Sequence, residues 1–411
     1  MENQPPASND TGGDPSVEKV QSNIRFQVKF MITGLVGFLI LIMLVLVSKM
    51  FRTWLALRRL SKYKSNELNQ RNIVDLLTNE DLEIKKLRDY YIASAFRPYV
   101  CYYHKYDYVS VEVFKEILAA GPRMVELEIF NSSYGDKVEP VVSVGEEKGE
   151  WRYTLNSVNL KEFLRAIARV AFNPTSCRVY QDPFILYLNL KTNRNVKCLN
   201  KIHKYIYDEI GQFLLGPEYS FNDKNNQFTN INLKSCLGKV IILANTGFEG
   251  SNLEELVNYS TVSNYTLKYK RNQRRILYLH HDDIVETEED IEDFVNSEHH
   301  KVSLNQVKQY NKCGLSILSP GRGGDSLFNG ISPVNNEAGK GLDAGCQFIM
   351  MNYQKLDTNM SNYMYVFKDS SLIEKAETET TSKCVNKIYQ GIKEERVDLN
   401  ESEINFLYAS H

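Results

Sequence analysis

From Phe30 to Ser48 the chain reads FMITGLVGFLILIMLVLVS, without a charge, between Lys29 and Lys49. As a helix, at about 1.5 Å per residue, this run reaches roughly 28 Å, close to the thickness of a bilayer's hydrocarbon core. A cleaved signal would have a shorter apolar stretch followed by a small-x-small site; here the sequence continues KMFRTWLALRRLSKYK. The pattern therefore predicts a retained transmembrane helix over 30–48, after a polar, turn-rich tail (1–29) expected to be disordered. Lys49, Arg52, Arg58, Arg59, Lys62 and Lys64 follow the run. Lys19, Arg25 and Lys29 precede it and are offset by Glu2, Asp10, Asp14 and Glu18. Positive flanks stay inside, so the expectation is a single-pass membrane protein with a cytosolic C-terminal domain.

The next stretch, 49–86, reads as a basic juxtamembrane helical segment. Phe51, Trp54, Leu55 and Leu57 interleave with the charges, which suits an anionic leaflet as well as a simple stop-transfer flank. Thr78 with Asp81 three residues on marks a second helix start. From about Tyr90 the period changes. MVELEIF (124–130), FILYLNL (184–190) and KVIILAN (239–245) read as strands, and 155–172 and 199–215 as helices between them. GCQFIMMNY (345–353) and YMYVF (363–367) are two further predicted strands, with a helix expected near 383–395. Alternating strands and helices imply a parallel sheet with helices outside.

Composition narrows the class. Lys and Arg number 49 against 51 Asp and Glu, a net charge of −2, which argues against a generally basic nucleic-acid binder. The seven cysteines contain no CxxC pair, so neither a disulfide framework nor a structural zinc site is expected, and a reducing compartment fits. In LHHDD (279–283), adjacent histidines on one strand point to opposite faces, which favours a solvated polar segment over a metal site. The acidic run 286–293 reads as a solvated face.

YYIASAFRPYV (90–100), RMVELEIF (123–130), EPVVSVG (139–145), NLKEFLRAIARVAF (159–172), DPFILYLNL (182–190) and LGKVIILAN (237–245) resemble the X half of the catalytic barrel of eukaryotic phosphoinositide-specific phospholipase C. LEELVNYSTV (253–262), NKCGLSILSPGRGGDS (311–326), AGCQFIMMNYQ (344–354) and YMYVFK (363–368) resemble its Y half. The resemblance implies a TIM-like (β/α)8 barrel behind the transmembrane helix. It divides the chain into an X-like half at 87–250, a Y-like half at 251–370 and a polar tail at 371–411.

What the resemblance implies for chemistry is substitution. The family uses two histidines and a calcium ion; the histidine positions here hold Phe96 and Val144. Neither side chain carries a proton, and each lost acid or base typically costs a factor of about 10² to 10⁴. At the calcium positions stand Arg97, Glu126, Glu128 and Asn189, a weak remnant of a metal site. No cofactor is expected, or calcium if that remnant still binds, and Arg97 is expected to pair with Glu126 or Glu128 instead. Glu126 and Glu128, two apart on a strand, share one face whether or not a metal is bound. The family's substrate lysines are replaced by Asn245 and Thr246, its arginine by Ile317 and the tyrosine beside it by Ser319. Arg97 and Arg322 are the candidate anion-binding residues. His104, eight residues past Phe96, lies beyond the end of its strand and is not expected to replace the lost histidine. The resulting expectation is a membrane-anchored, inactive phospholipase C-like module that binds membrane lipids, phosphoinositides among them, or protein assembly partners, and no nucleic acid. The alternative is a phosphoric diester hydrolase with a rearranged site.

Overall fold

The computed structural model describes residues 15–65, 70–132, 138–146, 152–222, 231–263, 275–286, 301–312, 314–321 and 334–375. The chain divides into two compact units, Met1–Arg52 and Thr53–His411. One long helix, α1 (Pro15–Ser65), begins in the first and ends in the second. Among the described residues it is the one helix long and apolar enough to cross a membrane: its most apolar 18-residue stretch has a mean hydropathy of 2.9, and none of that stretch is buried. Phe30, Leu35, Phe38 and Met43 are all exposed.

In the second unit, eight parallel strands close into a barrel: β1 (Tyr90–Ala95), β2 (Met124–Asn131), β3 (Phe184–Lys191), β4 (Val240–Ala244), β5 (Tyr259–Ser263), β6 (Arg275–His280), β7 (Ser316–Ser319) and β8 (Phe348–Met351). Each pairs with the next, and β1 pairs with both β2 and β8, so the sheet has no free barrel edge. Parallel strands buried on both faces read as continuous apolar runs, as Val240–Ala244 does. Alternate residues separate two layers. Ile92, Met124, Ile185, Ile241, Ile276, Ile317 and Phe348 fill the interior. Ala93, Val125, Leu186, Ile242, Leu277, Leu318 and Ile349 face outward, where Phe114, Phe163, Ile202, Val307, Leu342 and Met364 of the surrounding helices cover them. The result is a TIM-like (β/α)8 barrel.

Most predicted elements fall where the periodicity put them. Thr78 caps Asn79–Ile84 through the reciprocal bonds with Asp81. Four expectations need correction. First, the segment 49–86 is not helical throughout: α1 stops at Ser65, and a 3₁₀ turn at Ile73–Asp75 precedes the second helix. Second, the end of α1 is not only a basic flank. Ala56, Leu60 and Tyr63, at helical spacing, are buried in the barrel's outer core, and the Tyr63 hydroxyl donates to the Tyr353 carbonyl (2.5 Å). Trp54 stays exposed while Leu57 packs against the core. Third, YMYVF is helical through Val366, in the helix Thr358–Val366, and Phe367 closes that helix. Asp357 caps that helix by accepting from the Met360 N–H (2.9 Å), and Met360, Tyr363, Met364 and Phe367 turn one stripe inward. Fourth, the polar tail contributes a strand, Leu372–Glu374, antiparallel to β1. The helix expected near 383–395 and most of the acidic run lie outside the described residues.

Buried polar groups pin the N-terminal end of the barrel. Arg123, fully buried, donates to the carbonyls of Ala171 (2.9 Å), Asp182 (2.5 Å) and Pro183 (3.2 Å). The Asp182 carboxylate accepts from the Ile73 N–H (2.6 Å) and the Ser371 hydroxyl (2.5 Å), tying both flanks of the barrel to the β3 entry. Cys101, Cys177, Cys198, Cys236 and Cys346 are buried free thiols.

Candidate functional site

β1 runs out at Ala95, and Phe96 and Arg97 turn over the mouth of the barrel. Arg97 adopts φ +43°, in the left-handed region, and its carbonyl is held by the Tyr99 N–H (2.8 Å) and the Gln354 amide (2.5 Å). This backbone aims the guanidinium at β2. Its Nε donates to Glu128 Oε1 at 2.6 Å, and its Nη2 lies 2.5 Å from the same oxygen as an ion pair.

Glu126 and Glu128 share the inward face of β2, as their spacing requires, and both are fully buried. The register sets Glu128 beside Asn189 on β3, and Lys191 follows on the same face. Lys191 Nζ lies 3.0 Å from Glu128 Oε2 and donates to the Gly145 carbonyl (2.5 Å). The Gly145 N–H donates to the same Oε2 (3.1 Å). Glu128 is thus saturated by two cations and an amide. Burial acts to raise its carboxyl, but Arg97 and Lys191 outweigh burial and hold it below the ordinary range. Arg97, although partly buried, is held protonated more firmly than usual by Glu128 and Glu126.

Glu126 is treated differently. Its Oε1 accepts from the Asn189 amide (2.8 Å), and its Oε2 has no hydrogen-bond partner among the described residues. Burial, reinforced by the charge of Glu128, pushes it up to about 7. Asn189 Oδ1 in turn accepts from Asn245 (3.3 Å), whose amide also bridges the Leu190 N–H (2.7 Å) and carbonyl (3.1 Å).

Calcium takes six to eight oxygens at about 2.3–2.6 Å. This cradle does not offer them. Arg97 contributes a cation, both oxygens of Glu128 are engaged, and the oxygen of Asn189 faces Asn245. No group of three His, Cys, Asp or Glu side chains gathers to hold a metal among the described residues. The residues present do not fit calcium.

The remaining predicted positions are placed as follows. Phe96 belongs to the interior cluster, with the Arg97 guanidinium 4.7 Å from its ring centroid. Val144 faces the outer core, and it is Gly145 that touches Glu128. Ile317 fills the barrel interior. The loop after β1 folds back, so the His104 ring lies 5.6 Å from that of Phe96. Burial, aided by Arg97, holds the His104 imidazole well below its ordinary value and so neutral. The LHHDD segment is partly buried rather than solvated. His280 Nδ1 lies 2.8 Å from the Ser319 hydroxyl and 3.1 Å from the Pro320 carbonyl, and the His280 N–H donates to the buried Asp283 (2.9 Å). Arg322 lies outside the described residues. Lys191 went unrecognised in the sequence; the signal was its alternation with Tyr187 and Asn189 on one strand face.

Residues 84–246 match the family model described as "Phosphatidylinositol-specific phospholipase C, X domain". No curated protein matches the chain. Among solved structures, the chain is similar in fold to PLC21 of S. officinalis, with a TM-score of 0.53 and 18% identity over 74% of this chain and 39% of that one. It is likewise similar to PLC21 of L. pealei, with a TM-score of 0.53 and 19% identity over 72% of this chain and 38% of that one. The chain thus spans about two fifths of the length of these relatives.

Proposed function

We propose that this protein is a membrane-anchored, phosphoinositide phospholipase C-like barrel without catalytic activity, serving as a binding or structural module at a membrane. The apolar run of α1 is the anchor, crossing once with the barrel in the cytosol. The ligand is an anionic phosphoinositide headgroup met by Arg97, with Arg322 as a second contact, or else a protein assembly partner. The observation that carries this reading is the cradle in which Arg97 and Lys191 neutralise Glu128. Phe96 and Val144, in apolar clusters at the positions of the resembled family's histidines, support it further.

The test uses the full chain in detergent, mixed with vesicles of phosphatidylinositol or its bisphosphate, with and without calcium. Released inositol phosphates and co-sedimentation are measured together. The expected result is sedimentation without hydrolysis, or neither if the partner is a protein. Hydrolysis above a heat-inactivated control overturns the reading.

The His280–Ser319 contact and the packing of His104 against Phe96 favour a second reading, a phosphoric diester hydrolase with a rearranged site. Under it, His104→Ala or His280→Ala abolishes hydrolysis that wild type performs.

A further inference from the structure

We infer that the barrel mouth carries its own cations in place of a bound metal. Arg97 and Lys191 clamp Glu128 and exclude divalent ions, so a phosphate-bearing ligand is held without metal. The ligand clause rests on the proposed binding role; the exclusion of metal does not.

The argument is one of occupancy. A divalent ion between β1, β2 and β3 needs Glu128, because Glu126 alone offers one unengaged oxygen. Glu128 Oε1 accepts from the Arg97 Nε–H and pairs with Nη2, and Oε2 pairs with the Lys191 ammonium and accepts from the Gly145 amide. An entering cation must displace two fixed positive charges and would then sit beside them. Lys191 has little room to withdraw: it is 5% exposed and also anchored to the Gly145 carbonyl. Arg97 is held by its backbone through Tyr99 and Gln354. Its side chain keeps 21% exposure, and its Nη1 edge takes no part in the contacts with Glu128. That edge can meet one phosphate oxygen, and guanidinium is well suited to such an anion.

The experiment titrates calcium into the EDTA-stripped full chain in detergent by calorimetry, with thermal unfolding alongside. Wild type is expected to give no saturable binding up to about 10 mM, beyond the roughly millimolar floor of natural calcium sites, and no calcium-dependent change in unfolding temperature. Arg97→Asn with Lys191→Met frees both carboxylates and adds an amide oxygen. It is expected to bind calcium in the range of about 0.1–1 mM, to unfold at higher temperature when calcium is added, and to lose both gains with Glu128→Gln. Arg97→Asn alone is the milder variant, in which Lys191 still neutralises Glu128, and its gain is expected to be smaller. Saturable calcium binding by wild type that Glu128→Gln removes overturns the inference. A folded Arg97→Asn chain with no more calcium affinity than wild type overturns it as well.

The ligand clause is read from sedimentation with phosphatidylinositol bisphosphate vesicles. Binding is expected to survive EDTA and to fall at least tenfold in Arg97→Gln. Binding that disappears in EDTA overturns the metal-free claim, whereas hydrolysis would instead overturn the proposed role.

Discussion

Replacing Glu126 by Gln removes a buried carboxyl that has, among the described residues, one hydrogen bond and one oxygen without a partner. Gln keeps an oxygen to accept from Asn189 at nearly the same shape, so the change is mainly in charge. In the folded chain this carboxyl is pushed up to about 7 from an ordinary 4.5, by burial and by Glu128. Between those values the unfolded chain has released its proton and the folded chain retains it. Folding therefore takes up a proton, and stability falls as pH rises through the folded value. At about 1.4 kcal/mol for each tenfold step, the loss is on the order of 3 kcal/mol, most of it between pH 5 and 8. Glu126→Gln has no proton to lose. It is expected to match wild type near pH 5 and to exceed it by roughly 3 kcal/mol at pH 8. In a domain of this size that is a shift of about 5 °C in unfolding temperature. The assay is thermal unfolding of both detergent-solubilised chains across this pH range. Parallel curves would refute the reasoning, since they would mean that Glu126 titrates alike in the folded and unfolded states.

Four further outcomes are expected. Leu60→Ala, at a site 3% exposed in the outer core, should cost about 2–5 kcal/mol, and a chain starting at residue 70 should unfold at lower temperature than one starting at residue 53; equal stability would mean that 53–63 adds nothing to the barrel. Arg123→Met strands three buried carbonyls that its guanidinium now serves, at about 1–3 kcal/mol each, and should lower the unfolding temperature more than any substitution at Arg97. Asp357→Ala removes the cap of the Thr358–Val366 helix and should cost about 1 kcal/mol in thermal unfolding; no change would mean the cap contributes nothing there.

The barrel was legible because its strands are buried on both faces and its helices on one, and those two conditions leave different periods in the chain. The apolar run at 30–48 and the Thr78 cap were legible for the same kind of reason: each is a local demand on neighbouring residues. The pairing of Glu126 with Glu128 on one face also followed from strand geometry alone. YMYVF misled because short runs of aromatic and branched residues satisfy strand and helix equally until a cap decides, and Asp357 decided.

The candidate site was legible only in part, since its contacts cross the chain. That Arg97 would choose Glu128 over Glu126 depends on a left-handed backbone turn fixed by Gln354. That Lys191 would complete the pairing depends on the β2–β3 register and on Gly145. The division of two neighbouring glutamates into one held ionised and one pushed toward neutrality depends on which cations reach which oxygen. Sequence alone determined which side chains share a strand face, because a period of two is a local property. Tertiary structure alone decided their partners and charges, because Coulomb energies depend on distances of a few ångströms between residues far apart in the chain.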